Sequence, residues 1–105
     1  MLYELRTYHA APGRMADLHD RFQRHTLQFF HKHRIEVVGF WTNEDESALI
    51  YLVRFPGEAE RAEAWEAFKA DPEWQEIKRR TEADGPLFRS QESVLLRPTS
   101  YSPLR

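Results

Sequence analysis

The segment Ala48-Leu49-Ile50-Tyr51-Leu52-Val53-Arg54-Phe55 constrains the fold more than any other stretch of the chain. A polar turn, Asn43-Glu44-Asp45-Glu46-Ser47, precedes it and Pro56-Gly57 ends it, so residues 48–55 read as a strand. A strand sends successive side chains to opposite faces of its sheet. Leu49, Tyr51, Val53 and Phe55 fall on one face, yet Ile50 and Leu52 fall on the other. A sheet with one wet face would alternate apolar and polar residues, and this strand does not. Residues 35–42 behave alike, with Val38 and Phe40 opposite Ile35, Val37 and Trp41, and pair with the strand as a hairpin. Both faces of the sheet are therefore expected to be covered.

The rest of the chain supplies cover for one face only. Residues 2–9 form a first strand, which Pro12-Gly13 breaks. Residues 14–33 carry Met15, Leu18, Phe22 and Phe29 at helical spacing, with Asp17 and Arg21 on the wet side. Residues 58–70 form an alanine-rich helix with Trp65 and Phe68 on one side and acidic residues in its first turn. Asp71 then caps a new helix with Pro72 at its first position, carrying Trp74 and Ile77 and closed by Asp84-Gly85-Pro86. Residues 91–96 form the last strand and 97–105 a C-terminal tail. The order β-α-β-β-α-β makes residues 1–105 a single α+β domain, a ferredoxin-like plait with an antiparallel sheet and helices on one face. The second face is expected to pack on the sheet of another copy, giving a homodimer.

Composition excludes several classes of function. Fifteen basic and seventeen acidic residues are dispersed along the chain for a net charge of -2, without the positive stripe that nucleic acid requires. No Cys is present, which removes disulfides, thiolate nucleophiles and zinc–thiolate sites. The longest apolar run, residues 48–53, is too short to span a bilayer, and the N-terminus reads directly as strand, so no membrane association and a cytoplasmic location are expected. No two of the five histidines stand three or four apart, as helical chelation needs, and no phosphate-cradling glycine motif exists. Neither metal nor cofactor is expected.

Seven segments, in order, resemble the NIPSNAP family: Tyr3-Glu4-Leu5-Arg6-Thr7-Tyr8, Pro12-Gly13, Val38-Gly39-Phe40-Trp41, Asp71-Pro72-Glu73-Trp74, Ser90-Gln91-Glu92, Leu96-Arg97-Pro98 and Tyr101-Ser102-Pro103. They span nearly the whole chain. The resemblance implies the dimeric α/β-barrel superfamily and a homodimer. It implies little chemistry, since the superfamily holds cofactor-free oxygenases, haem-degrading enzymes and lactone isomerases. Family members often carry His, Trp and Tyr along the third strand, where this chain has Tyr51, Val53 and Phe55.

Among residues able to carry chemistry, His25 falls on a helical wheel between Leu18, Phe22 and Phe29. It is either a pocket base, held neutral by burial, or a core histidine satisfied by one hydrogen bond. Glu4, Arg6 and Tyr8 share one strand face; Arg6 either forks to an anionic ligand or pairs with Glu4 to set register, and the opposite charge at hand favours the pair. Trp41, Tyr51, Trp65 and Trp74 either line an aromatic cavity or are core. Two functions follow. In one, a pocket between the sheet and the first helix binds or converts a small hydrophobic or aromatic molecule without cofactor, with His25 as base, Arg6 as anchor, and Tyr8, Trp41 and Tyr51 as ligand-binding residues. In the other, the homodimer is a non-catalytic protein-interaction or structural module.

Overall fold

The structure, a computed structural model, describes residues 1–105. Four strands, β1 (Leu2–Ala10), β2 (Glu36–Thr42), β3 (Ala48–Phe55) and β4 (Phe88–Leu96), form one antiparallel sheet in the order β2-β3-β1-β4. The helices α1 (Met15–Arg21), α2 (Leu27–Lys32), α3 (Glu58–Ala70) and α4 (Pro72–Thr81) complete the β-α-β-β-α-β plait. No helix is long and apolar enough to cross a membrane.

Register explains which side chains meet the helices. Leu2, Glu4, Arg6 and Tyr8 of β1 lie opposite Phe55, Val53, Tyr51 and Leu49 of β3, all toward the helix side. Tyr51, Val53 and Phe55 are sealed from solvent at the centre of the core. Strict alternation fails in β2. A bulge between Val37 and Gly39 inserts an extra residue, so Val37 faces Val53 and Phe40 faces Tyr51. Val37 and Phe40 thus pack on the same core, correcting the alternation expected of this segment. Trp41, next along, turns to the outer face beside Ile50 and stays 54% exposed. Its ring lies over Gly39, where an added Cβ would come within 2.8 Å of it.

The first helical region departs from a regular α-helix. Phe22–Thr26 forms a π-helical turn between α1 and α2, in which the Leu27 amide reaches back to the Phe22 carbonyl. Thr26 Oγ1 donates to the Arg21 carbonyl at 3.3 Å, bonding a backbone group that the wider turn leaves free. The extra residue shifts the inward stripe to Leu18, Phe22, Thr26, Phe29 and Phe30. His25 is rotated toward solvent and is half-buried. Arg21, assigned by spacing to the wet side, is instead buried beneath α4 and paired with Glu82 at 2.8 Å.

The joint between α3 and α4 holds the helical layer together. Asp71 accepts from the Glu73 amide at 2.9 Å as N-cap, with Pro72 in the first turn. Its other oxygen receives Lys32 and His33, each at 2.7 Å, tying the start of α4 to the end of α2. Trp74 packs against Phe68 with centroids 4.7 Å apart and meets Phe29 at 5.8 Å. Asp71→Ala should therefore cost about 2 kcal/mol in urea denaturation, above the roughly 1 kcal/mol of a simple cap. Trp74→Ala should cost about 3–5 kcal/mol. Near-zero losses in both variants would show the joint to be dispensable.

Candidate functional site

The site begins with a charge that the sheet cannot leave alone. Glu4 is fully buried on the helix face of β1. Arg6 Nη1 donates to Glu4 Oε2 at 3.1 Å, confirming the expected ion pair, but four further donors come from elsewhere. Arg61 of α3 donates through Nε at 2.8 Å and Nη2 at 3.2 Å; Trp65 Nε1 donates at 2.7 Å; and Ser93 of β4 donates through Oγ. Arg61 and Trp65 stand four apart and so share one face of α3. Burial by itself would raise the Glu4 pKa. Hydrogen bonds from Arg61, Ser93 and Trp65, with the charge of Arg6, outweigh it and bring the pKa down to about 2.

Arg6 carries this network to the next row of the sheet. Its Nε donates to Tyr51 Oη at 2.8 Å, and its Nη2 donates to Tyr8 Oη and Gln91 Oε1, each at 3.2 Å. Trp65 lies under the guanidinium, 4.3 Å from ring centroid to Cζ. Burial works against this charge, but the oxygens of Tyr51 and Tyr8 and the Glu4 carboxylate prevail and raise the Arg6 pKa. The two phenol oxygens are 2.8 Å apart. Burial, reinforced by the neighbouring Tyr8, pushes the Tyr51 pKa well above the usual phenol value, so Tyr51 keeps its proton. That proton needs an acceptor, and Tyr8 Oη is the oxygen within reach. With Tyr51 as the donor of that pair, Tyr8 accepts from both Tyr51 and Arg6, and its own O–H is available to a third partner.

Tyr8 lines a cavity of about 420 Å³ between the sheet and the helices. Phe22, Phe30, Trp65, Phe68, Trp74 and Phe88 supply its apolar wall. Arg6, Arg21, Lys69 and Lys78 also line it, and no Asp, Glu or His does. Lys69, Gln75, Lys78 and Gln91 are exposed and form the mouth.

The expected site residues divide accordingly. Arg6, Tyr8 and Tyr51 are brought together, with Arg6 and Tyr8 on the cavity wall and Tyr51 sealed directly behind Tyr8. The expected pocket is present but does not reach His25, which the π turn carries off the stripe and which makes no side-chain hydrogen bond. Trp41 is on the far side of the bulge and lines a separate groove at the β2 edge with Phe40 and Leu27. Arg21 and Arg61 were not singled out by sequence. The signals were nonetheless there: Arg21 follows Leu18 by one turn, and a carboxylate on a buried strand face demands cations.

The Glu4 network has a testable pH signature. A carboxylate with a depressed folded pKa stabilises the fold fully above its unfolded value of 4.5, and that contribution disappears as pH falls toward about 2. In wild type, urea stability should decline across this window by about 3 kcal/mol from Glu4 alone. Glu4→Gln should be less stable at pH 7 by about that amount and show a flatter acid limb. Parallel pH profiles for the two proteins would contradict the network's role.

Comparison with known proteins agrees with this architecture. The chain is 27% identical to an uncharacterised NIPSNAP domain protein from Burkholderia xenovorans, covering 98% of this chain and 99% of that one with a TM-score of 0.85. A NIPSNAP family protein of unknown function from Agrobacterium tumefaciens is 25% identical over 100% of this chain and 94% of its own, with a TM-score of 0.87. A putative antibiotic biosynthesis monooxygenase from Nitrosomonas europaea shares the fold alone, at 11% identity, with coverage of 93% and 98% and a TM-score of 0.63. No curated protein matches the chain significantly. The NIPSNAP family profile matches residues 3–103, and the chain belongs to the NIPSNAP family.

Proposed function

We propose that the protein is a homodimer whose cavity takes up a small, apolar or aromatic molecule and polarises an oxygen of it through Tyr8, without a cofactor. The observation carrying this reading is Tyr8 in the wall of an aromatic cavity, its oxygen 3.2 Å from Arg6 Nη2 and 2.8 Å from Tyr51 Oη, so that with Tyr51 as donor its own O–H is available to a ligand. Two donors onto one phenol oxygen would draw charge from it and make its proton a stronger donor. A ligand carbonyl or oxyanion seated there would gain a hydrogen bond that strengthens as negative charge develops. With no carboxylate or imidazole in the lining, the polar groups of this cavity are hydrogen-bond donors and cations, suited to stabilising negative charge on a bound molecule. His25 has no part in it.

The homodimer rests on the sheet's outer face. Leu5, Ile50 and Leu52 are half-buried there, while Trp41, Val94 and Leu96 are 54%, 51% and 40% exposed. Every copy carries the same patch, and a two-fold contact between sheets would cover two of them at once.

Native mass spectrometry of freshly purified protein should find a species of twice the chain mass retaining a small organic molecule. Tyr8→Phe should remain folded and hold an oxygen-bearing aromatic ligand about tenfold more weakly, the loss of one hydrogen bond. His25→Phe should leave both fold and binding unchanged. A monomer at high micromolar concentration would remove the dimer, and equal binding by Tyr8→Phe would remove Tyr8 from the site.

A further inference from the structure

The cavity has a second polar feature that the Tyr8 hydroxyl does not use. Arg21 enters it from the helix side, with its side chain only 3% exposed. Nη1 donates to Glu82 Oε2 at 2.8 Å and to Thr81 Oγ1 at 3.3 Å. Nε, by contrast, is buried and has no partner in the chain. A buried donor without an acceptor is costly, and more so on a charged group. The Trp74 ring, 5.3 Å from Cζ, supports the cation's face but supplies no acceptor to its edge.

Guanidinium geometry says what is missing. Nη1 lies on the Cδ side of the group, so the pair already made with Glu82 leaves the opposite edge, Nε with Nη2, unused. That edge offers two parallel N–H groups, the fork that matches a carboxylate. Electrostatics points the same way. Four cationic residues line the cavity, no acid does, and Lys69 and Lys78 at its mouth have no carboxylate partner. Arg6 and Arg21 are each paired with a carboxylate, Glu4 and Glu82, so the uncompensated positive charge is that of Lys69 and Lys78, beside the apolar walls at the mouth. Arg6 is a poor alternative anchor, since its guanidinium already serves Glu4, Tyr8, Tyr51 and Gln91.

We infer that the ligand is an aromatic or otherwise flat apolar carboxylate, its anionic group forked by the Nε–Nη2 edge of Arg21 and drawn in past Lys69 and Lys78. The inference rests on the cavity being a ligand site, and its test separates the two ideas. Isothermal titration of the full chain at low salt compares 2-naphthoate with its neutral isostere 2-naphthamide. Wild type should bind the carboxylate about tenfold more tightly or better than the amide. Arg21→Met should abolish that preference, and Arg21→Lys, with charge but no fork, should restore only part of it. The paired exposed substitutions Lys69→Met and Lys78→Met, which put no core contact at risk, should weaken naphthoate alone and reduce its salt dependence. Equal binding of both probes by wild type, or a preference that survives Arg21→Met, would overturn the carboxylate assignment and leave the cavity reading intact. No binding of either probe would overturn both.

Discussion

The buried carboxylate of Glu4 is the constraint around which the molecule is arranged. A charge sealed inside a β-sheet is tolerated only when its lone pairs are met by donors. Here the donors come from three elements: Arg6 on the same strand, Ser93 on the neighbouring edge strand, and Arg61 with Trp65 on α3. One side chain thereby sets the distance of a helix from the sheet and joins β4 to the central pair. The hydrophobic contacts around it are less specific; they favour burial of α3 but not a particular position along it.

From that carboxylate the polar network runs outward in one direction. Glu4 orients Arg6, Arg6 aligns the oxygens of Tyr51 and Tyr8, and the network ends at Tyr8, which lines the cavity. Each member is fixed by the one behind it, so the Tyr8 oxygen is held without help from a ligand. The opposite wall is built differently. The pairing of Arg21 with Glu82 across to the end of α4 leaves one guanidinium edge without a partner. A complete network on the sheet side and an incomplete one on the helix side give the cavity two polar poles separated by aromatic rings.

Two local irregularities of the backbone, the β2 bulge and the π turn, shape the core around this cavity. The bulge in β2 brings Phe40 against Phe22 and Tyr51, with centroids 5.3 and 5.2 Å apart, and closes the core on that side. The same bulge sends Trp41 to the outer face, where it joins the apolar patch of the proposed dimer. The π turn replaces His25 by Thr26 on the inward stripe and leaves the lining without an imidazole. One inserted residue in each element thus decides which aromatic and which polar groups meet.

Much of the fold was legible in the sequence, because its signals are local. Periodicity and turn residues determined β3 and α3 to the residue, the Asp71–Pro72 helix start, and the plait order itself; the motifs from Tyr3 to Pro103 determined the family. The alternation of Glu4, Arg6 and Tyr8 also determined that they would share a face. Tertiary structure decided the rest. A wheel of constant 100° per residue cannot foresee a π turn, since an i→i+5 bond is stabilised by what the helix packs against. Strict alternation likewise cannot foresee a bulge. Long-range partners were invisible for the same reason: Arg61, Trp65 and Ser93 lie 57, 61 and 89 residues from Glu4 and meet it only after the chain has folded. Sequence determines which residues can be apolar, extended or helical; the closing of sheet against helices decides which charges are left without a partner.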